Sequence, residues 1–144
     1  MELHVNDISH VIQLSVAPVF LLTSIATMIN AMNTRLGRIV DRRRKVLEQR
    51  RGENPAIDEE CDLELRTLSL RAHLSYLGIF FAVLSALLIC LVMIGAFLGA
   101  LISVDLSKGV AIVFILALCA VIAALGLFLR EVYLGVSVGT HVTH

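Results

Sequence analysis

The sequence predicts an all-α membrane protein that forms a single membrane domain over residues 1–144. Two observations lead to this fold class. Three apolar runs, at about 8–32, 74–102 and 109–129, each reach or exceed the roughly 20 residues that a helix needs to cross about 30 Å of hydrocarbon. The segment between the first two runs holds ten of the twelve Lys and Arg residues. We therefore expect three transmembrane helices, with a cytoplasmic antiparallel helical hairpin at about 33–73 that extends the first and second spans.

The first run is typical of a retained transmembrane helix rather than a cleaved signal peptide. A signal peptide carries basic residues before its apolar stretch and small residues at its cleavage site. No Lys or Arg precedes Ile8, and the run continues into Asn30, Asn33 and Arg35 without such a site.

The charged segment 33–73 predicts two helical arms. Apolar positions continue the helical period of the first run as far as Leu47, and a turn cluster follows at 52–55. A second apolar stripe then recurs at spacings of three and four, through Ile57, Cys61, Leu65, Leu68 and Ala72. Folding the segment about Asn54 brings Arg44 near Glu64, and Arg50 near Asp58 and Asp62. We expect these pairs to set the register of the arms.

The second and third runs carry small residues at helical spacing. The second contains Gly95-x-x-x-Gly99, and the third contains Ala117, Ala120 and Ala124. Small residues let helices approach closely inside a membrane, where no hydrophobic effect drives their packing. The motif fits both packing within one chain and a dedicated oligomer interface, and we expect packing within the chain.

The distribution of basic residues predicts the orientation. Cytoplasmic loops carry an excess of Lys and Arg. The segment before the first run has none, and the connection at 103–108 has only Lys108. We expect the N-terminus outside, segment 33–73 in the cytoplasm and the C-terminus inside.

The first run differs from the others because polar and small residues follow one of its faces. The residues that we take as candidates for lining a pathway are Gln13, Phe20, Ser24, Thr27, Asn30 and Thr34. Polar groups are costly in hydrocarbon unless they find partners, water or a cavity. Either they bond to backbone carbonyls and to the other helices, or several copies assemble with this face towards a water-filled pathway.

In the pathway hypothesis, charged groups border both mouths. Asp7 and His10 lie at the outer end of the first run, and Arg35 and Arg38 lie at its inner end. Acidic rings favour cations and basic rings favour anions, so the two mouths favour ions of opposite sign. Phe20 would form an apolar constriction between them.

Several function classes lack their sequence signatures. No carboxylate lies in the middle of a run, which disfavours transport through a buried acid. No phosphate-binding loop, zinc-protease or serine-hydrolase motif is present. The three cysteines are far apart, so the sequence suggests no metal site. We expect no enzyme activity, no cofactor, and no nucleic-acid partner, because acids offset the bases of segment 33–73.

Two stretches carry a family resemblance. They are residues 8–22, with His10, Gln13 and Pro18, and residues 33–42, which read NTRLGRIVDR. The chain resembles a bacterial family of small three-span membrane proteins defined by a domain of unknown function, number 2721. The resemblance implies a location in the bacterial inner (plasma) membrane and no established activity.

The functional prediction is a homo-oligomer that forms an ion-conducting or small-solute pathway lined by the first span. The alternative is a non-conducting scaffold or accessory subunit that docks a cytoplasmic protein partner through its charged hairpin. In both, membrane lipid is the partner of the remaining apolar surface.

Overall fold

The computed structural model describes residues 2–50, 55–102 and 104–140, and these ranges contain three helices. Helix α1 runs over Glu2–Gln49, α2 over Pro55–Ile102 and α3 over Ser107–Thr140. The predicted turn at 52–54 lies outside the described residues. All three helices are long and apolar enough to cross a membrane, so the prediction of a membrane protein with three such helices is confirmed.

The first two helices extend far beyond a membrane's thickness. Each has 48 residues and therefore rises about 72 Å. Helix α1 continues through Pro18 and through the Arg-rich stretch to Gln49. Helix α2 begins at Pro55, a residue whose fixed φ suits a first helical position, and Asp58 follows in its first turn.

The chain divides into two compact units, and every helix contributes residues to both. One unit, which we call the first unit, comprises Met1–Ile29 and Phe81–Ala123. Its buried residues are mostly small or aliphatic, and Ala82 and Ala117 are fully enclosed. The buried Ser85 hydroxyl donates a 2.8 Å hydrogen bond to the Ala117 carbonyl oxygen, which joins α2 to α3.

The glycine motif of α2 packs within the chain, as predicted. A Cβ at Gly95 would lie 3.1 Å from the Val110 side chain. A Cβ at Gly99 would lie 3.5 Å from the Val104 carbonyl oxygen. The absence of side chains at both positions lets the start of α3 and its preceding turn lie directly on α2.

The other unit, the second unit, comprises Asn30–Phe80 and Ala124–His144. Residues of α1 and α2 form its buried cluster, which consists of Leu36, Ile39, Val46, Cys61, Leu68 and Ala72. Two ion pairs accompany this cluster: Arg42 with Glu64 at 2.6 Å and Arg50 with Asp62 at 3.1 Å. Arg50 therefore has a predicted partner, whereas Glu64 pairs with Arg42 rather than Arg44. In each pair the acid lies on α2, whereas Arg42 lies on α1 and Arg50 directly follows the end of α1.

Candidate functional site: a carboxylate between two arginines

The second unit encloses one carboxylate almost completely. Glu131 lies on α3, directly after Arg130, and only 1% of its side chain is exposed. Withdrawing a carboxylate from water costs several kcal/mol unless its oxygens find charged or hydrogen-bonding partners. The surroundings of Glu131 must therefore supply such partners.

Two arginines supply them, one from each of the other helices. The Arg35 Nε on α1 donates to Glu131 Oε2 at 2.9 Å. On α2, Arg71 donates to Oε1 from Nη2 at 2.9 Å and from Nε at 3.1 Å. Each carboxylate oxygen thus has its own arginine, and the three side chains form what we call the Glu131 triad. One acidic residue connects all three helices of this unit.

Neighbouring residues on α3 shape the space for the arginines. The Phe128 ring lies with its centroid 5.6 Å from Arg35 Cζ, within range of a cation–π interaction. Gly135 lies one turn after Glu131, and a Cβ there would lie 2.8 Å from Arg71 Nη2. The missing side chain lets the Arg71 guanidinium lie against the α3 backbone while it bonds to Glu131.

An open groove adjoins the triad. It has a volume of about 220 Å³ and is lined by Arg35, Arg38, Ile39, Arg42, Leu68 and Arg71. Arg42 is bound to Glu64, and Arg38 is exposed with no acidic partner among the described residues. The groove is therefore lined by four arginines, two of which belong to the Glu131 triad.

The predicted outer charges lie in the first unit, beside a different cavity. Asp7 and His10 line a cavity of about 440 Å³ together with Gly95, Gly99 and Asp105. The Asp105 carboxylate accepts hydrogen bonds from the hydroxyl and the backbone N–H of Ser107, at the start of α3. Both bonds lower the pKa of Asp105 below its usual 3.8, and the bond from the Ser107 hydroxyl has the larger effect.

The candidate pathway residues of α1 are all exposed on the single chain. These six are Gln13, Phe20, Ser24, Thr27, Asn30 and Thr34, and Phe20 is 69% exposed. The hydroxyls of Ser24, Thr27 and Thr34 donate to the carbonyl oxygens four residues earlier. Helical backbone therefore satisfies these donors. The Gln13 and Asn30 amides make no hydrogen bond to any described residue, so they differ from the hydroxyls.

Glu131 and Arg71 were not among the site residues predicted from the sequence, although Arg35 was predicted as a mouth charge. A signal was present: Glu131 is the only acidic residue after Asp105. Glu131 lies two residues after the end of the third apolar run. Arg35 lies three residues after the end of the first run, and Arg71 lies three residues before the start of the second. Residues at matching ends of three successive spans come to the same membrane face, where opposite charges can meet.

The described residues contain no group of three or more His, Cys, Asp and Glu side chains that could hold a metal ion. The arginines of the groove present donors only, which suit an anion rather than a cation.

The family comparison agrees with the sequence resemblance. The profile of the family described as "Protein of unknown function (DUF2721)" matches residues 15–139, which is most of the chain. The chain belongs to this family. The matched region includes the whole Glu131 triad and the other residues of the adjoining groove. No curated protein and no solved structure matches the chain. The description of this family names no activity.

Proposed function

We propose that this DUF2721 protein is a homo-oligomer in which α1 of each copy lines an ion-conducting or small-solute pathway. The observation that carries the proposal is that the exposed Gln13 and Asn30 amides of α1 make no hydrogen bond to any described residue. The other helices of the same chain leave Gln13, Asn30 and the four other candidate pathway residues uncovered. In hydrocarbon, the two unbonded amides would be costly, whereas copies arranged with this face inward would give them water.

The hydroxyl bonds along α1 are compatible with such a pathway. A hydroxyl that donates to its own helix still presents its oxygen lone pairs outward. Ser24, Thr27 and Thr34 would offer these acceptors along the face, a feature of cation-conducting surfaces. Phe20 would narrow the pathway between Gln13 and Ser24.

We further propose the bacterial inner membrane as the location, with the N-terminus outside and the C-terminus in the cytoplasm. The concentration of Arg in the second half of α1 supports this orientation. The second half of α1 and the first half of α2 then form the cytoplasmic hairpin, and their ion pairs hold the register.

The first test is the stoichiometry of the full chain in nanodiscs, measured by native mass spectrometry. We expect a closed ring of four or more copies, because a ring gives the polar faces of α1 a common axis to face. A monomer or a dimer would contradict the pathway.

The second test is reactivity of single cysteines towards a charged thiol reagent in membranes. We expect Ser24→Cys and Thr27→Cys to react. The natural Cys119, exposed on α3, provides the control for a lipid-facing thiol and should stay unmodified. Unreactive cysteines at 24 and 27 in a folded oligomer would contradict the proposal.

A second candidate function is a scaffold that binds a cytoplasmic protein through α2. The observation in its favour is the exposure of Leu63 and Leu70, 62% and 47%, in a stretch that also carries the exposed Glu59 and Glu60. Unchanged liposome permeability, together with a soluble partner whose binding is lost on deleting residues 58–64, would favour this function over the pathway.

A further inference from the structure

The groove beside the Glu131 triad has an excess of unused hydrogen-bond donors. Each guanidinium carries five N–H groups, so Arg35, Arg38, Arg42 and Arg71 present about twenty. Four of these donate to carboxylates, three to Glu131 and one to Glu64. Arg38 makes no hydrogen bond or ion pair with a described residue, so its five donors are open to a ligand.

The charge balance of the groove is positive. Four arginines contribute four positive charges, and their partners Glu131 and Glu64 contribute two negative charges, which leaves two positive charges. A phosphate monoester carries about 1.5 to 2 negative charges at neutral pH, and a phosphodiester carries one. A phosphate group therefore matches the remaining charge, whereas a metal cation would be repelled.

The type of base also favours phosphate. Every base in the groove is Arg, although Lys45 occurs three residues after Arg42. The planar guanidinium fork bonds two phosphate oxygens at once, which the ammonium of Lys cannot do. Arg35 and Arg71 are also held in place by Glu131, so they are oriented before a ligand arrives.

One end of the groove lies at the height of the lipid phosphates. Arg35 lies three residues beyond the first apolar run and Arg71 lies three residues before the second. At about 1.5 Å per residue, both lie roughly 5 Å past the apolar run. The headgroup region extends about 5–7 Å beyond the hydrocarbon on each side. Arg35 and Arg71 can therefore meet a phosphate in the headgroup layer. Arg38 and Arg42 lie about 9 and 15 Å past the first run, so they face a phosphate from the water side of that layer.

We infer that the groove formed by Arg35, Arg38, Arg42 and Arg71 is a binding site for a phosphate group. The phosphate belongs to the headgroup of an anionic phospholipid or to a free phosphate in the adjoining water. Arg38 has no acidic partner among the described residues, so it is the residue most available to the ligand. This inference does not depend on whether α1 lines a pathway.

The test uses the full chain in nanodiscs, with Arg38→Gln as the variant. Arg38 is exposed and unpaired among the described residues, so its loss should leave the Glu131 triad and the thermal unfolding temperature unchanged. Arg43→Gln is the matched control, because Arg43 is an exposed Arg on the same helix that does not line the groove. Both variants remove one positive charge.

One arm measures phospholipid. In nanodiscs of phosphatidylcholine with one quarter phosphatidylglycerol, native mass spectrometry counts the lipids that stay bound to the protein. We expect phosphatidylglycerol to be enriched over its bulk fraction, and Arg38→Gln to weaken its retention about tenfold, as the loss of a charge-assisted bond predicts. Arg43→Gln should retain it normally.

The other arm measures free phosphate. Inorganic phosphate is titrated by calorimetry into the protein in phosphatidylcholine nanodiscs. Binding that Arg38→Gln weakens and Arg43→Gln preserves would identify free phosphate as the source. Equal weakening by both variants in either arm would indicate charge attraction without a site and overturn the inference. The absence of both phosphatidylglycerol enrichment and phosphate binding would overturn it as well.

Discussion

At Glu131, the free-energy cost of burying the carboxylate is opposed by its ion pairs with two arginines. A fully withdrawn carboxylate costs several kcal/mol, and its three hydrogen bonds to guanidinium groups offset that cost. Arg35 and Arg71 remain 37% and 19% exposed, so water still solvates part of each cation. Removal of the Glu131 carboxylate alone would leave two cations facing each other. It should therefore lower the free energy of unfolding by more than the intact triad contributes to it.

Replacing Glu131 with Gln should destabilise the protein strongly. The amide keeps the size of the side chain but removes its charge, so two guanidinium groups lose their counter-ion. We expect a loss of about 3 kcal/mol in the free energy of unfolding, measured by chemical denaturation in detergent. Glu60→Gln, an exposed acid on α2, is the control and should change the free energy of unfolding by less than about 0.5 kcal/mol. Equal effects of the two variants would contradict a role for the triad.

At the scale of the element, α3 presents one face to the arginines. Phe128, Glu131 and Gly135 recur at spacings of three and four along it, so their Cα atoms share a side of the helix. The ring contacts Arg35, the carboxylate binds both arginines, and the glycine makes room for Arg71. Three residue types with different chemistry thus serve one contact between helices.

Adding a methyl group at Gly135 should disturb this face. The new Cβ would lie 2.8 Å from Arg71 Nη2, and moving the guanidinium away would break its bonds to Glu131. We expect Gly135→Ala to lower the free energy of unfolding by about 1–3 kcal/mol, measured by chemical denaturation in detergent.

The control for this prediction lies on the same helix. A Cβ added at Gly126 would meet no heavy atom of the described residues within 4 Å, so Gly126→Ala should be neutral or stabilise α3 by about 0.5–1 kcal/mol. Destabilisation by Gly126→Ala as large as that by Gly135→Ala would show that contact with Arg71 does not determine the result.

The start of α3 provides a prediction about pH. Because the Ser107 hydroxyl lowers the pKa of Asp105, Ser107→Ala should raise that pKa towards 3.8. A pKa lowered by folding means that the stabilisation is present above 3.8 and is lost as pH falls through the lower folded value. The measurement is an NMR titration of the Asp105 carboxyl carbon in micelles, with Ser69→Ala as the control. An unchanged pKa in Ser107→Ala would contradict the assignment of the hydroxyl as the main cause.

The elements show how far a sequence can predict this fold. The length of each apolar run predicts a helix, because hydrocarbon leaves the backbone no other partner. Counting about Asn54 predicts that Arg50 meets an acid of α2, but pairs Glu64 with Arg44 instead of Arg42. The rotation of each helix about its axis decides which of the neighbouring arginines faces Glu64. Counting residues from the turn does not determine that rotation. The Glu131 triad was not predicted for a related reason: its members lie 36 and 60 residues apart along the chain, and the sequence does not specify which faces of the three helices meet.

At the scale of the whole molecule, three long apolar helices make this a membrane protein whose outward surface contacts lipid. Exposed large apolar residues occur on all three helices, including Phe20, Leu101 and Ile122. Exposed apolar area of this extent requires a lipid or protein cover. The direction in which the helices cross the membrane is a separate proposal, which depends on the bases of segment 33–73 rather than on the apolar runs.

The orientation can be measured with a reporter enzyme that is active only in the cytoplasm. We expect activity when it is fused after residue 144 and none when it precedes residue 1. Replacing Arg42, Arg43 and Arg44 together with Gln should reduce the fraction of correctly oriented chains, because it removes three of the ten bases of segment 33–73. Reporter activity at the N-terminal fusion alone would reverse the proposed orientation.

The position of Glu131 late in the chain also has a consequence for biosynthesis. Glu131 follows Arg71 by 60 residues and Arg35 by 96, so the ribosome makes both cations long before their shared anion. Until the third helix enters the membrane, we expect the two unneutralised guanidinium groups to resist entry into hydrocarbon and to keep the ends of the first two helices in water. Insertion of the third helix then delivers the counter-ion. A nascent chain arrested before Glu131 thus differs from a finished chain in charge, because Arg35 and Arg71 still lack their shared counter-ion.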